Sequence, residues 1–170
     1  MIIVTGGAGM IGSNLVKKLN SIGYEKILII DNLKSGRKFV NLVDLKFNDF
    51  CYKSDFYNNL DSFKNIEAVF HLGACSDTTN WDGQYLLKNN YECSKNLFIW
   101  CQENSIPFIY ASSASVYGIN NNFKECSQNE NPINMYAYSK LLFDQFVRRS
   151  IKNNNSQVVG LRYFNVYGPN

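Results

Sequence analysis

The residues with the clearest chemical potential lie in the segment Tyr136-Ala137-Tyr138-Ser139-Lys140. Tyr136 and Lys140 are four positions apart, which places them on one face of a helix. A tyrosine is a poor base near neutral pH because its free pKa is about 10. A neighbouring ammonium group favours the phenolate, so we expect Lys140 to lower the pKa of Tyr136 and make it a usable acid–base group.

The motif Y-x-x-x-K also occurs by chance on amphipathic helices, so the pair alone is weak evidence for catalysis. A serine upstream strengthens the assignment. Ser113 directly follows an apolar run that predicts a strand, and it would hold a substrate hydroxyl as the proton leaves. Tyr138 competes with Tyr136, but the position four residues further on is Leu142, so we interpret Tyr138 as structural. The predicted catalytic residues are therefore Tyr136, Lys140 and Ser113.

A glycine-rich turn, TGGAGMIG at residues 5–12, lies between the first predicted strand and the first predicted helix. Small residues permit a tight turn and a close approach of a pyrophosphate, which the N–H groups at the helix start would bind. Gly12 would also let the helix pack closely on the sheet. Glycines serve ordinary turns as well, but this strand–turn–helix setting predicts dinucleotide binding at Gly6, Gly9 and Gly12.

The choice between NAD and NADP depends on residues after the second predicted strand. Asp31 ends that strand, where an acidic residue usually binds the ribose hydroxyls and indicates NAD. Arg37 and Lys38 follow closely, and Lys53 ends a weak strand, so these cations could instead pair with a 2′-phosphate. They could equally be solvated surface residues. The residues leave the choice open, with a slight preference for NADP.

Histidine and cysteine content argues against a metal site. His71 is the single histidine, and we interpret it as a packed or loop-bonded imidazole at the end of a strand rather than a catalytic group. The five cysteines are odd in number and form no C-x-x-C pair. That pattern is typical of free thiols in a reducing compartment.

Short apolar runs alternate with longer amphipathic ones, as in repeated βαβ units. This alternation predicts one α/β domain over residues 1–170, a doubly wound parallel sheet of the Rossmann type with ligands at the carboxyl ends of the strands. In the second predicted helix, Tyr85, Asn89, Cys93, Leu97 and Trp100 should form one buried stripe. The predicted strands are Ile2–Thr5, Lys26–Asp31, Ala68–Leu72, Phe108–Ser112 and Val158–Arg162, with a weak one at Phe50–Lys53, and the predicted helices are Gly12–Ile22, Asp82–Asn104 and Met135–Lys152.

Composition excludes several other classes of protein. The 170 residues are 45% hydrophobic and 18% charged, as in ordinary globular domains. The net charge of +3 is spread along the chain, so we predict no nucleic-acid partner. The sequence has neither a run of apolar residues long enough for a membrane span nor a signal peptide. We therefore expect a cytoplasmic protein without a membrane partner.

Longer motifs carry a resemblance to a known family. In family order the chain contains TGGAGMIG, DNLKSGRKFVNLVDL, HLGACSDTTNWDG, NNYECSKNL, YASSASVYG, YAYSKLLFDQFVR and VVGLRYFNVYGP. Together these stretches resemble the ADP-L-glycero-D-manno-heptose 6-epimerases, which are extended short-chain dehydrogenase/reductases of lipopolysaccharide inner-core synthesis. The glycine turn and Y-x-x-x-K are common to all extended members, whereas DNL-x-x-G-x-KFVNL and GACS-x-TT-x-WDG are more specific.

The resemblance implies NADP as cofactor and ADP-heptose as substrate, with transient oxidation at heptose carbon 6 and return of hydride to the other face. It implies a homo-oligomer for a full-length protein. It also implies substrate contacts at Ser113 and Asn165, and a cofactor contact by Lys140. The further cofactor contacts that it implies are Met10, Ile11, Asp31, Asn32, Lys38, Lys53, Leu72, Gly73, Ala74, Cys75, Ser76, Asn89 and Val166.

The sequence departs from the family pattern in two places. Met10 replaces a more usual phenylalanine, which is a volume-conserving change. The chain ends at Asn170, whereas the family continues into a substrate domain with a second acid–base lysine, so we expect a fragment or a truncated product.

Two other functions stay open. One is another nucleotide-sugar epimerase, dehydratase or reductase of the extended group, and another is a cofactor-binding module without catalysis. Ser113-Ala114-Ser115 lacks the carboxylates that elimination needs, which argues against a dehydratase.

Overall fold

Six short strands form one fully parallel sheet in a computed structural model that describes residues 1–151 and 155–169. The strand order is β3-β2-β1-β4-β5-β6. Every residue of β2 is buried, as expected for a parallel strand that is covered on both faces. The strands are β1 Ile2–Thr5, β2 Ile27–Asp31, β3 Asp49–Tyr52, β4 Ala68–His71, β5 Phe108–Ser113 and β6 Val158–Tyr163.

Helices connect these strands and cover both faces of the sheet. All six predicted strands are confirmed, with ends that differ by at most one residue. The last helix begins at Met135, where the Asn134 side chain accepts a hydrogen bond from the Ala137 N–H at 2.8 Å. Its predicted end at Lys152 lies outside the described residues. The α-helices are α1 Met10–Ser21, α2 Lys53–Asn58, α3 Gly83–Leu86, α4 Cys93–Glu103 and α5 Met135–Ser150.

The second predicted helix is not uniform, because a π-helical turn, Leu87–Glu92, joins α3 to α4. The predicted stripe is wrong in its first half, since Tyr85 is exposed and Asn89 only half-buried. Leu86 and Asn90 are buried instead. The buried positions Leu86, Asn90, Ser94 and Leu97 keep ordinary helical spacing, so the buried face lies one position further along the chain than predicted. Turns of the π type are frequent at functional sites.

The core has two layers because successive strand residues point to opposite faces of the sheet. Ile3 packs in the layer that contains Leu97, Phe98 and Phe143 from α4 and α5. Val4, the next residue, packs in the layer that contains Val16 from α1. Helices on both faces confirm the predicted doubly wound fold.

The direction of winding reverses at β1, which pairs with β2 on one side and with β4 on the other. In open α/β sheets this switch point opens a crevice at the carboxyl ends of the strands, where ligands bind. In the part of the chain that the structure describes, no helix has the length and apolar character needed to cross a membrane.

Candidate active site

A crevice of about 690 Å³ opens at the carboxyl edge of the sheet. It runs from the glycine-rich turn, past the end of β2, to the end of β5 and the start of α5. The structure therefore brings nearly all predicted site residues together. The predicted residues that line it are Gly6, Gly9, Met10, Ile11, Gly12, Asp31, Asn32, Lys38, Lys53, Leu72, Gly73, Ala74, Ser76, Asn89, Ser113, Tyr136, Lys140, Asn165 and Val166.

Cys75 is the exception among the predicted site residues, since it does not line the crevice. The Asn90 side chain forms hydrogen bonds with both main-chain groups of Cys75. Its Oδ1 accepts from the Cys75 N–H at 2.8 Å, and its Nδ2 donates to the Cys75 carbonyl at 3.0 Å. Cys75 is thus fixed to the π-helical turn, and its contact with the cofactor stays a prediction.

The glycine-rich turn packs so tightly that side chains are excluded. Gly6 has a φ of +68°, in the left-handed region that favours glycine. A Cβ on Gly12 would lie 2.3 Å from the Gly6 carbonyl oxygen. Helix α1 starts just after Gly9 without a side-chain cap, and Met10 and Ile11 of its first turn line the crevice. The positive end of the helix dipole is therefore open to an anion such as a pyrophosphate.

The carboxylate of Asp31 is buried at the end of β2 and is largely used by the protein itself. Its Oδ1 accepts from the N–H groups of Asn32 at 2.8 Å and Leu33 at 3.1 Å. Its Oδ2 accepts from the Ala8 N–H at 3.2 Å. Lys38 completes the set with Nζ 3.2 Å from Oδ1. Asp31 thus ties the loop after β2 to the glycine-rich turn.

Two cations lie at this end of the crevice. Lys38 and Lys53 line it, whereas Arg37 is exposed and does not. The Lys53 ammonium donates to the Asn89 side-chain oxygen and lies 5.9 Å from the centroid of the Tyr57 ring. A phosphate group placed between Lys38 and Lys53 would meet two charged donors.

At the other end, helix α5 presents Tyr136 and Lys140 beside Ser113, the last residue of β5. The Lys140 ammonium donates to the Ala111 carbonyl at 2.8 Å. Burial lowers the pKa of Lys140 to about 8, and the nearby Asp144 carboxylate opposes this decrease.

Burial raises the pKa of Tyr136, while a hydrogen bond with the Ser113 side chain opposes the increase. The predicted lowering of the Tyr136 pKa by Lys140 is therefore wrong for this structure. The physical reason is that the phenol is desolvated and the lysine amine is bonded to Ala111 instead.

A buried chain of hydrogen bonds joins the two ends of the crevice through His71. Ser94 donates to the Asn90 carbonyl at 2.5 Å, so it accepts from His71 Nε2 at 2.8 Å. Nδ1 of His71 is then the acceptor for the Thr5 hydroxyl at 2.7 Å. Thr5 in turn accepts from the Gly73 N–H at 3.1 Å. The interpretation of His71 as a packed imidazole is confirmed.

Asn90 extends this chain of hydrogen bonds to helix α5, and the spacing of the sequence did not predict it as a site residue. Its Nδ2 donates to the Ser139 hydroxyl at 3.1 Å, and Ser139 donates to the Tyr136 carbonyl at 2.7 Å. A polar residue one position away from the predicted buried stripe was the available signal. Asp144, which follows Lys140 by four positions on the same helix, was missed as well.

No group of metal-ligating side chains occurs among residues 1–151 and 155–169. The five cysteines are all free, as predicted. The fold and the site together define a dinucleotide-binding domain of the extended short-chain dehydrogenase/reductase class, with a Ser–Tyr–Lys set at one end of the crevice and an open helix start at the other.

Comparison with known proteins narrows this class. Residues 2–170 match the model of the NAD dependent epimerase/dehydratase family, and the chain belongs to that family.

Solved structures with a similar fold include three sugar epimerases, each with 99% of this chain covered. The ADP-L-glycero-D-manno-heptose-6-epimerase of Helicobacter pylori is 35% identical with a TM-score of 0.87, and 56% of its chain is covered. The UDP-N-acetylglucosamine 4-epimerase of Methanobrevibacter ruminantium, in complex with UDP-N-acetylmuramic acid, is 34% identical with a TM-score of 0.84 and 56% covered. The UDP-glucuronic acid 4-epimerase of Bacillus cereus, in complex with NAD, is 29% identical with a TM-score of 0.84 and 57% covered. The chain thus spans little more than half the length of these proteins.

Proposed function

We propose that this chain binds NADP and performs the proton-transfer chemistry of an ADP-L-glycero-D-manno-heptose 6-epimerase. The observation that carries the proposal is that Tyr136, Lys140 and Ser113 meet in the same crevice as the glycine-rich turn. The heptose substrate is supported by the family motifs and by the 35% identity to the H. pylori enzyme. Other similar epimerases bear the names of UDP-sugars, so a different nucleotide sugar is the competing substrate.

The preference for NADP is supported by the state of Asp31. Its carboxylate already accepts from three main-chain N–H groups and from Lys38, so little acceptor capacity is left for ribose hydroxyls. Lys38 and Lys53 line the same end of the crevice and supply donors that suit a 2′-phosphate.

When bound, the nicotinamide supplies reversible hydride transfer. The residues of this chain supply one route for the proton. In the proposed reaction Ser113 holds the hydroxyl on carbon 6, and Tyr136 takes the proton as that hydroxyl becomes a ketone. Lys140 stabilises the phenolate once its amine turns from Ala111 toward Tyr136. Tyr136 returns the proton when hydride comes back to the opposite face, so no net oxidation occurs.

The lining of the crevice argues against a dehydratase. Among the described lining residues Asp31 is the only carboxylate, and it lies at the β2 end, away from Tyr136. Elimination needs an acid and a base near the reacting carbons. The residues after Ser113 form a short 3₁₀ turn, Ala114–Tyr117, that contains no acidic residue.

The test uses the 170-residue chain with NADP⁺ and ADP-D-glycero-D-manno-heptose. Binding of NADP⁺ is measured by calorimetry, and formation of the L-glycero epimer by NMR. We expect binding and epimer formation, with Tyr136→Phe retaining NADP⁺ affinity while its turnover falls by about 10²–10⁴-fold. Tyr138→Phe is the matched control on the same helix and should keep its turnover.

Three results would contradict parts of the proposal. Undiminished turnover of Tyr136→Phe would refute its role as the acid–base group. NADP⁺ binding without epimer formation would reduce the chain to a cofactor-binding module. Epimerisation of a UDP-sugar in place of ADP-heptose would move the substrate assignment to the competing class.

A further inference from the structure

Asp144 is a buried carboxylate one helical turn beyond Lys140, and the proposed reaction does not use it. Its Oδ1 accepts from the Tyr110 hydroxyl at 3.0 Å. Its Oδ2 accepts from the Ser112 hydroxyl at 2.8 Å and from Arg162 Nε and Nη2 at 3.2 and 3.1 Å. A single carboxylate on α5 is therefore bonded to both β5 and β6.

The strand residues that Asp144 holds alternate with those that serve the catalytic pair. Tyr110 and Ser112 bond to Asp144, whereas the Ala111 carbonyl accepts from Lys140. The residue after Ser112, Ser113, lies close enough to Tyr136 for its side chain to affect the pKa of the phenol. Four consecutive residues of β5 thus contact the helix α5, and Asp144 makes two of these links.

We propose that Asp144 is a positioning residue, whose carboxylate fixes the end of β5 against α5 and supplies the negative charge that faces the Lys140 ammonium. The inference rests on the proposed roles of Tyr136, Lys140 and Ser113. It deepens that function by assigning the support of the catalytic pair to a residue that touches neither substrate nor cofactor.

The groups around Lys140 show which of its neighbours favours the charged form of the amine. On α5 it has Tyr136 and Asp144 one turn away on either side. From β4, His71 is neutral at pH 7, because burial lowers the pKa of its imidazole and the nearby charges of Lys140 and Lys53 add to the decrease. Tyr110 of β5 and Arg162 of β6 are bonded to Asp144. Asp144 is thus the group that favours the charged form of Lys140.

A simpler alternative is that Asp144 only neutralises Arg162. Glu130 offers a matched control for that role, because its buried carboxylate also pairs with Arg162. Glu130 further accepts two hydrogen bonds from Arg148, at 2.6 and 2.7 Å. No hydrogen bond of the described residues joins Glu130 to β5 or to Lys140. Loss of its charge therefore perturbs the arginines without changing the support of the catalytic pair.

The experiment compares Asp144→Asn with Glu130→Gln in the 170-residue chain. The protonation of Lys140 is followed by its ¹³Cε shift in lysine-labelled protein, with the signal assigned by its absence in Lys140→Met. The wild-type midpoint is expected near pH 8. We expect Asp144→Asn to lower it by about one pH unit, as loss of a nearby opposite charge does, and Glu130→Gln to leave it in place. An unchanged midpoint in Asp144→Asn, or an equal decrease in both variants, would overturn the electrostatic half of the proposal.

Ser112→Ala tests the anchoring half and serves if Asp144→Asn does not fold. It removes one neutral hydrogen bond and keeps both charges. We expect about tenfold faster amide exchange at residues 111–113, the loss of one such bond, with no change in β1 and no change in the Lys140 midpoint. Unaltered exchange at residues 111–113 would overturn the anchoring role. Neither measurement needs a bound dinucleotide. Failure of the wild-type chain to bind NADP⁺ would therefore refute the proposed function and leave the test of Asp144 unaffected.

Discussion

Acidification should destabilise this protein through its single histidine. His71 is buried between Thr5 and Ser94, and burial is the largest cause that lowers its pKa to about 3. The positive charges of Lys140 and Lys53 add to the decrease. The folded state therefore keeps the imidazole neutral, whereas the unfolded chain takes up a proton as the pH falls below about 6.5.

The sign and size of the effect follow from proton linkage. Below about pH 6.5 the unfolded state binds more protons than the folded state, so stability decreases as the pH falls toward the folded pKa of about 3. Between pH 7 and pH 5 the loss is about 2 kcal/mol, or roughly 30-fold in the unfolding equilibrium. Most carboxylates titrate below this window and the thiols and phenols above it, so the histidine dominates.

Urea unfolding at pH 7 and pH 5 measures this loss. The wild-type midpoint should fall by about 1 M urea, given an m-value of about 2 kcal/mol/M for a small domain. His71→Gln keeps an amide donor for Ser94 but cannot titrate, so the difference between the two pH values should disappear. Ser94→Ala separates the effect of burying the imidazole from that of its hydrogen bond to Ser94. It removes a hydrogen bond without exposing the imidazole and should retain the pH dependence. A wild-type midpoint that does not move, or a His71→Gln variant that is as pH-dependent as the wild type, would refute the assignment of this loss to a buried neutral histidine.

Two further outcomes concern the cofactor end of the crevice. Gly12→Ala should lower NADP⁺ affinity at least about tenfold, because a Cβ there would lie 2.3 Å from the Gly6 carbonyl oxygen and overpacking of this kind costs about 1–3 kcal/mol. Gly36→Ala, where nothing lies within 4 Å, is its control, and equal affinities would contradict the packing argument. Lys38→Ala should weaken NADP⁺ about tenfold or more and NAD⁺ much less, whereas the exposed Lys34→Ala should change neither. Equal losses for both dinucleotides in calorimetry would remove Lys38 from the 2′-phosphate site.

The sequence predicted those features that depend on local periodicity. Apolar runs such as ILII in β2 are strands because a parallel sheet buries both of their faces, and the i, i+4 spacing placed Tyr136 and Lys140 on one helix face. What it could not predict depends on long-range contacts. Asn90 is buried where the spacing predicted Asn89, and main-chain N–H groups of the loop after β2 occupy the carboxylate of Asp31. Neither effect has a signature in the spacing of neighbouring residues.

The raised pKa of Tyr136 is the most instructive of these differences, since it shows what an i, i+4 argument omits. The spacing sets which side chains share a face, but desolvation and hydrogen bonds set their protonation. Lys140 can support a phenolate only while it is charged, and burial works against that charge. A neutral His71 adds no positive charge that would oppose the ammonium form, and the Asp144 carboxylate favours it. The buried polar layer beneath the crevice is therefore best understood as the electrostatic environment that keeps this lysine charged near neutral pH.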